Sequence, residues 1–163
     1  MRIILLLASL SLAGCGFQMR GTAALPFETL YLPGAASGIA LDLKRNIQSG
    51  TRTRVVDEPK NAEAVLEFSE EAREKHILSL AATGRVSEYQ LRYRVGFRVH
   101  DGKGGEFLPA STMQLTRDIS FNDTEVLAKE TEEQQLYRDM QFDMVQQVMR
   151  RLAGATPPKP AVQ

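Results

Sequence analysis

Arg92, Arg94 and Arg98 recur at even positions of one stretch, with Gln90, Gly96 and His100 between and beside them and no carboxylate in the set. A guanidinium fork matches carboxylate and phosphate oxygens two at a time, so the chemistry on offer is anion recognition. Two readings are open: a solvated sheet face, or a face that meets something anionic. Bond-making chemistry has much less to draw on. The two histidines, His76 and His100, lie in no motif of known spacing, and the chain has one cysteine. No Gly-x-Ser-x-Gly, His-Glu-x-x-His or phosphate-cradling glycine loop occurs. Glu70-Glu71 and Glu132-Glu133 sit in strand and helix patterns that read as surface charge. The expectation is a protein that is not an enzyme, with no cofactor and no metal site.

The arginines need a strand to hold them. Over Glu88–His100 the odd positions read Tyr89, Leu91, Tyr93, Val95, Phe97 and Val99. Strict alternation is the period of a half-buried strand, since successive side chains leave opposite faces. Such a strand would span roughly 35–40 Å. Upstream, Thr29–Leu32 reads as a strand, and Ile39, Leu43 and Ile47 lie at helical spacing between a cap at Ser37 and a stop at Gly50. Thr53–Val56 is a further extended piece. A strand then runs from Ala64 towards Leu78, with a turn at Ala81–Gly84. Partners summing to about 165 would pair Leu66 with Val99, Phe68 with Phe97, Glu67 with Arg98 and Glu71 with Arg94. That register also sets Arg73 beside Arg92. Asp101–Gly105 is a turn signal, and Ser111–Phe121 is a strand whose apolar face is interrupted by Arg117. From Glu125 to Leu152, Leu136, Met140, Met144, Val148 and Leu152 recur every fourth residue, behind N-caps offered by Asn122-Asp123-Thr124. This order predicts an α+β two-layer sandwich. Two helices would pack on one face of a mostly antiparallel sheet of about four strands, within a single domain over 29–154.

The N-terminus says where such a domain works. Arg2, an apolar run and small residues leading to Leu12-Ala13-Gly14-Cys15 resemble a bacterial lipoprotein signal. The run is too short to be a permanent span. The resemblance implies that residues 1–14 are removed and that Cys15 is acylated, with 15–28 as lipidated N-terminus and linker. Gly16, rather than Asp, at the second mature position implies export to the outer membrane. Residues 155–163 read as a proline-rich, disordered tail. With 20 basic and 20 acidic residues the chain offers no basic excess, which argues against nucleic-acid binding. The use of Cys15 by lipid would leave no disulfide, so the core alone must hold the domain.

Three segments resemble the lipopolysaccharide-assembly LptE family. They are Cys15-Gly16-Phe17-Gln18-Met19-Arg20-Gly21, then Glu88-Tyr89-Gln90-Leu91, then Val126-Leu127-Ala128-Lys129 with Glu132-Glu133, Met140 and Arg150-Arg151-Leu152. The resemblance implies a lipoprotein on the periplasmic side of the outer membrane. It would plug the lumen of the LptD β-barrel, assist that barrel's assembly and help bind and insert lipopolysaccharide. It further implies ligand contact through Lys129 and through Arg85 near the Ala81–Gly84 turn, with Arg92, Arg94 and Arg98 as second choices. The rival is a lipoprotein component of an ABC-type phospholipid transport system, which would need an apolar groove for acyl chains. A lipoprotein hydrolase is a third possibility, and it lacks the residues noted above.

Overall fold

The alternating stretch forms a strand over Val86–His100 in a computed structural model that describes residues 24–158. Its odd set from Leu91 to Val99 is buried, and its even set points to the opposite face of the sheet. The described elements in chain order are β1 (Thr29–Tyr31), α1 (Gly38–Gly50), β2 (Arg54–Val56), a 3-10 turn (Pro59–Asn61), β3 (Ala64–Leu80), β4 (Val86–His100), β5 (Glu106–Ser120) and α2 (Val126–Ala153). One sheet of order β2-β1-β3-β4-β5 carries both helices on one face.

The architecture is the α+β sandwich expected, with two differences. The sheet has five strands rather than about four, because Arg54–Val56 returns through α1 to pair with Thr29–Tyr31. That crossover makes β1 parallel to both β2 and β3, while β3, β4 and β5 form an antiparallel meander. β5 also starts at Glu106, ahead of the expected Ser111. It runs through Pro109, which an edge strand tolerates because a missing N–H there breaks no ladder bond.

Helix α1 buries Ile39, Ala40, Leu43 and Ile47, and α2 buries Tyr137, Met140, Met144, Val145, Val148 and Leu152. Leu136 and Met149 only flank the core. Each fully buried aliphatic side chain contributes about 1.5–3 kcal/mol, so these stripes hold the helices in place. The expected caps do not. Ser37 occupies the α1 N-cap position without a side-chain hydrogen bond, the α2 N-cap position falls to Glu125 rather than to Asn122, Asp123 or Thr124, again without one, and α1 runs through Gly50 to close at Thr51. Helices in a folded domain draw most of their stability from packing an apolar face rather than from local signals. Two amide bridges join the helices, Gln141 Nε2 to Asp42 Oδ2 at 2.6 Å and Gln146 Nε2 to Asn46 Oδ1 at 3.2 Å.

The packed unit overruns the expected boundaries of 29 and 154. Leu25 packs against the core, Phe27 stands edge-on to Phe107 at 5.4 Å, and Ala155 is buried. The Thr156 N–H donates to the Phe107 carbonyl at 3.4 Å. Residues 1–23, which hold the expected signal and Cys15, and residues 159–163 lie outside the described residues.

The β3–β4 register decides which charges meet. Leu66–Val99, Glu67–Arg98 and Phe68–Phe97 pair as the spacing predicts. The ladder then slips at Ser69, so that Glu70 faces Gly96 and Glu71 faces Val95. Glu71 therefore never reaches Arg94, whose cross-strand partner is Ala72, and Arg73 lies opposite Tyr93 rather than Arg92. The bulge is possible because residue 96 has no side chain. A Cβ there would lie 2.5 Å from Ser69 Oγ.

Candidate functional site

The bulge sorts the acidic residues of β3 between the two faces. Glu67, Glu70 and Glu74 share the outer face with the arginines, whereas Glu71, Arg73 and Lys75 turn towards the helices. On the outer face Arg98 donates twice to Glu67 Oε2, at 2.9 and 2.6 Å. Arg94 bridges Glu70 at 2.8 Å and Glu74 at 2.8 Å, and Arg92 reaches Glu74 at 3.5 Å. Arg92, Arg94 and Arg98 thus face away from the helices, as expected, but each already holds a glutamate. The face is a self-paired ladder rather than an open cationic surface.

Under the helices the displaced charges find polar partners. Tyr93 Oη donates to Glu71 Oε1 at 2.7 Å, and burial together with that carboxylate pushes the phenol far above its usual pKa. Arg73 Nη2 donates to Gln141 Oε1 at 2.6 Å, and Arg73 Cζ lies 5.6 Å from the ring centres of both Tyr93 and Tyr137. Arg117, which interrupts the apolar face of β5, reaches across to Asp143 of α2 at 2.9 Å. This is the snorkelling its position implied.

The ladder also sets a response to acid. The hydrogen bond from Arg98 holds the Glu67 carboxyl below its ordinary value of 4.5. A hydrogen bond with His76, with Arg94 and Arg92 nearby, lowers that of Glu74. The backbone N–H groups of Lys103 and Gly105 lower that of Asp101 in the β4–β5 turn. A carboxyl whose folded-state pKa is depressed stabilises the fold above its unfolded pKa. That contribution is lost as pH falls through the folded value. The urea midpoint is therefore expected to stay flat from about pH 8 to about 5.5 and to fall below about pH 4.5. Arg98→Gln should shallow that fall. A fall of unchanged depth in this variant would remove Glu67 from the account.

The remaining two candidate cations lie together at the other end of the sheet. The β3–β4 turn closes with the Ala81 N–H donating to Arg85 O at 2.8 Å, and Gly84 supplies the positive φ, +80°, that the turn requires. Beside it, the Phe121 N–H donates to Ser87 O at 2.8 Å, which ties the β5–α2 connection to the same end. Arg85 Nη2 meets Asp123 Oδ2 at 2.8 Å, with the arginine side chain 71% exposed. Lys129 Nζ donates to Ser120 Oγ at 3.0 Å and to Glu132 Oε2 at 2.9 Å, with its side chain 16% exposed. Lys75 Nζ sits 4.3 Å from the Tyr89 ring centre and 2.6 Å from Glu133.

Sequence reasoning missed what surrounds these cations. Ile77, Leu78 and Leu80 at the end of β3, with Val126 and Leu127 at the start of α2, are large apolar side chains left exposed. Their residue types were legible in the sequence. Their exposure was not, because it depends on which parts of the sheet the helices cover. Together the end offers apolar surface beside cations, of which Arg85 is exposed and Lys129 and Lys75 are each held by a glutamate, a composition suited to an amphipathic anion.

Comparison with known proteins adds a lineage. A profile described as LptE, lipopolysaccharide-assembly, matches residues 23–152. The LPS-assembly lipoprotein LptE of Photorhabdus laumondii is 28% identical over 153 residues, covering 92% of this chain and 83% of that protein. Its namesake in Yersinia enterocolitica is 30% identical over 158 residues, covering 93% of this chain and 75% of that protein. Among solved structures, the solution NMR structure of an uncharacterized lipoprotein B from Nitrosomonas europaea superposes with a TM-score of 0.73 at 41% identity. It covers 85% of this chain and 90% of that one.

Proposed function

Since the chain belongs to the LptE family of lipopolysaccharide-assembly lipoproteins, we propose that it is the plug and assembly subunit of an outer-membrane lipopolysaccharide translocon. In this reading Cys15 is acylated and tethers the domain to the periplasmic side of the outer membrane. The domain seats in the lumen of the LptD β-barrel, assists that barrel's assembly and helps pass lipopolysaccharide outward. It acts by binding, without catalysis. The profile match over 23–152 is the observation that carries the proposal.

The geometry supports it in two ways. A barrel lumen is polar and wet, and the outer sheet face is polar, with Arg92, Arg94 and Arg98 each paired to a glutamate, so these guanidinium groups can meet such a wall without being left unpaired. The hairpin end places Arg85 and Lys129 beside exposed Ile77, Leu80 and Leu127. That pairing of cation and apolar surface suits a molecule with phosphates on acyl chains. We assign ligand contact first to Lys129 and Arg85. Arg92, Arg94 and Arg98 come second: all five cations would have to release a carboxylate, but only Arg85 and Lys129 lie at the end that exposes large apolar side chains.

Tagged full-length protein extracted in mild detergent should copurify with a large outer-membrane β-barrel. Recovery of the protein without one would reject the plug assignment. The double variant Arg85→Glu/Lys129→Glu is expected to weaken lipopolysaccharide binding about tenfold or more. Its thermal midpoint and barrel recovery should match those of the parent. Unchanged affinity in the folded variant would take both residues out of the ligand site.

A further inference from the structure

The meander β3–β4–β5 has two long free edges, and they are built differently. β1 pairs with β3 only at Ala64 and Val65, so β3 runs on unpaired along that side. Along this run charge falls on both faces: Glu67, Glu70, Glu71, Arg73, Glu74, Lys75 and His76. Dense charge, including inward-pointing charge, is how sheet edges repel other strands. β5 closes the opposite side of the sheet. From Ala110 to Thr116 it reads Ala-Ser-Thr-Met-Gln-Leu-Thr, with no charge and no proline. Among the described residues only Thr156, at Phe107, adds a backbone hydrogen bond to β5 from outside the meander.

A groove of about 430 Å³ runs beside this edge between β5 and the end of α2, lined by Thr112, Met113, Gln114, Gln147, Arg150 and Arg151. Arg73, Arg85, Arg92, Arg94, Arg98 and Arg117 each have a carboxylate or amide partner. Among the described residues, Arg150 and Arg151 meet no carboxylate within 4.0 Å, and both are exposed. The groove therefore combines an unprotected row of backbone donors and acceptors with two unspent guanidinium groups on the helix side.

We propose that Ala110–Thr116 of β5 is a strand-addition site that receives an extended segment of the barrel partner, with an Asp or Glu of that segment answering Arg150 and Arg151. The proposal rests on the plug reading above and names a contact within it. Backbone pairing supplies the grip, and alternate side chains supply the choice, since every second residue of the incoming strand faces the helix side. A second copy of this chain fits poorly. Edge-to-edge pairing of two β5 strands would bring four arginines together without a carboxylate between them.

The test places photoreactive benzoylphenylalanine at Gln114 or Thr116 in the full-length chain, coexpressed with its barrel, with His76 on the β3 edge as comparison. Adducts are mapped by mass spectrometry. Gln114 and Thr116 should capture one segment of the barrel carrying Asp or Glu within two residues of the crosslink, and His76 should not capture it. Arg150→Glu/Arg151→Glu should cut the yield at least tenfold, and Arg150→Gln/Arg151→Gln should cut it less, both with unchanged melting. Copurification of the barrel without β5 adducts overturns this inference and leaves the plug reading standing. So do adducts to residues 1–23 or 159–163, adducts to a second copy, or yields indifferent to the arginines. Absence of the barrel from the purified material overturns both.

Discussion

Replacing Phe97 with alanine is expected to remove about 3–5 kcal/mol of stability. Phe97 is 1% exposed at the middle of β4, on the helix side, between Val95 and Val99 and 6.4 Å from the ring centre of Phe68. Truncation there removes aromatic surface and leaves a cavity under two helices whose own caps make no side-chain hydrogen bonds. Domains of this size are stable by only about 5–15 kcal/mol, so the variant should sit near the edge of folding at 37 °C. Urea unfolding should show a much lower midpoint with an unchanged slope, and Phe97→Leu should recover most of the difference. A loss below about 1 kcal/mol would mean that the sheet–helix seam is not packed as described.

The neighbouring residue tests the bulge. Gly96→Val is expected to cost about 3 kcal/mol, at the upper end for forcing extra bulk into a packed site. Its first new carbon would lie 2.5 Å from Ser69 Oγ and 3.5 Å from Glu70 Cβ. Ser69→Gly should return a good part of that loss in the Gly96→Val background while doing little on its own. Such a coupling between residues 69 and 96 reports the contact directly in a double-mutant cycle. Additive effects would show that the strand accommodates valine by another route.

These two residues also mark how far the sequence could be read. The alternation along β4 identified Leu91, Tyr93, Val95, Phe97 and Val99 as core, and all five are buried. Period two is a property of the backbone and survives translation into structure. The slip at Ser69 left almost no trace, because a serine in a strand looks like any other polar position. Gly96 opposite it was the one available sign. Missing the slip misplaces every β3 charge beyond it: Glu71 faces Val95 and accepts from Tyr93, rather than meeting Arg94. The arginine face is legible as a face, and Glu67–Arg98 as a pair upon it; Glu70 and Glu74 as the partners of Arg94 are not, since their parity depends on that one extra residue. Lys129 and Arg85 were placed by resemblance. Their common location came from the tertiary contact between the β5–α2 connection and Ser87, which pattern alone does not encode.

One consequence follows from the ladder of Glu67, Glu70 and Glu74 with Arg92, Arg94 and Arg98. Three positive and three negative groups interleaved at contact distance cancel as seen from afar, so these arginines draw no anion from a distance. Encounter with an approaching anion is then governed by the few cations at the rims, whose reach is set by the Debye length of about 8 Å at physiological ionic strength. Salt should slow capture at those rims while leaving the flat expanse indifferent.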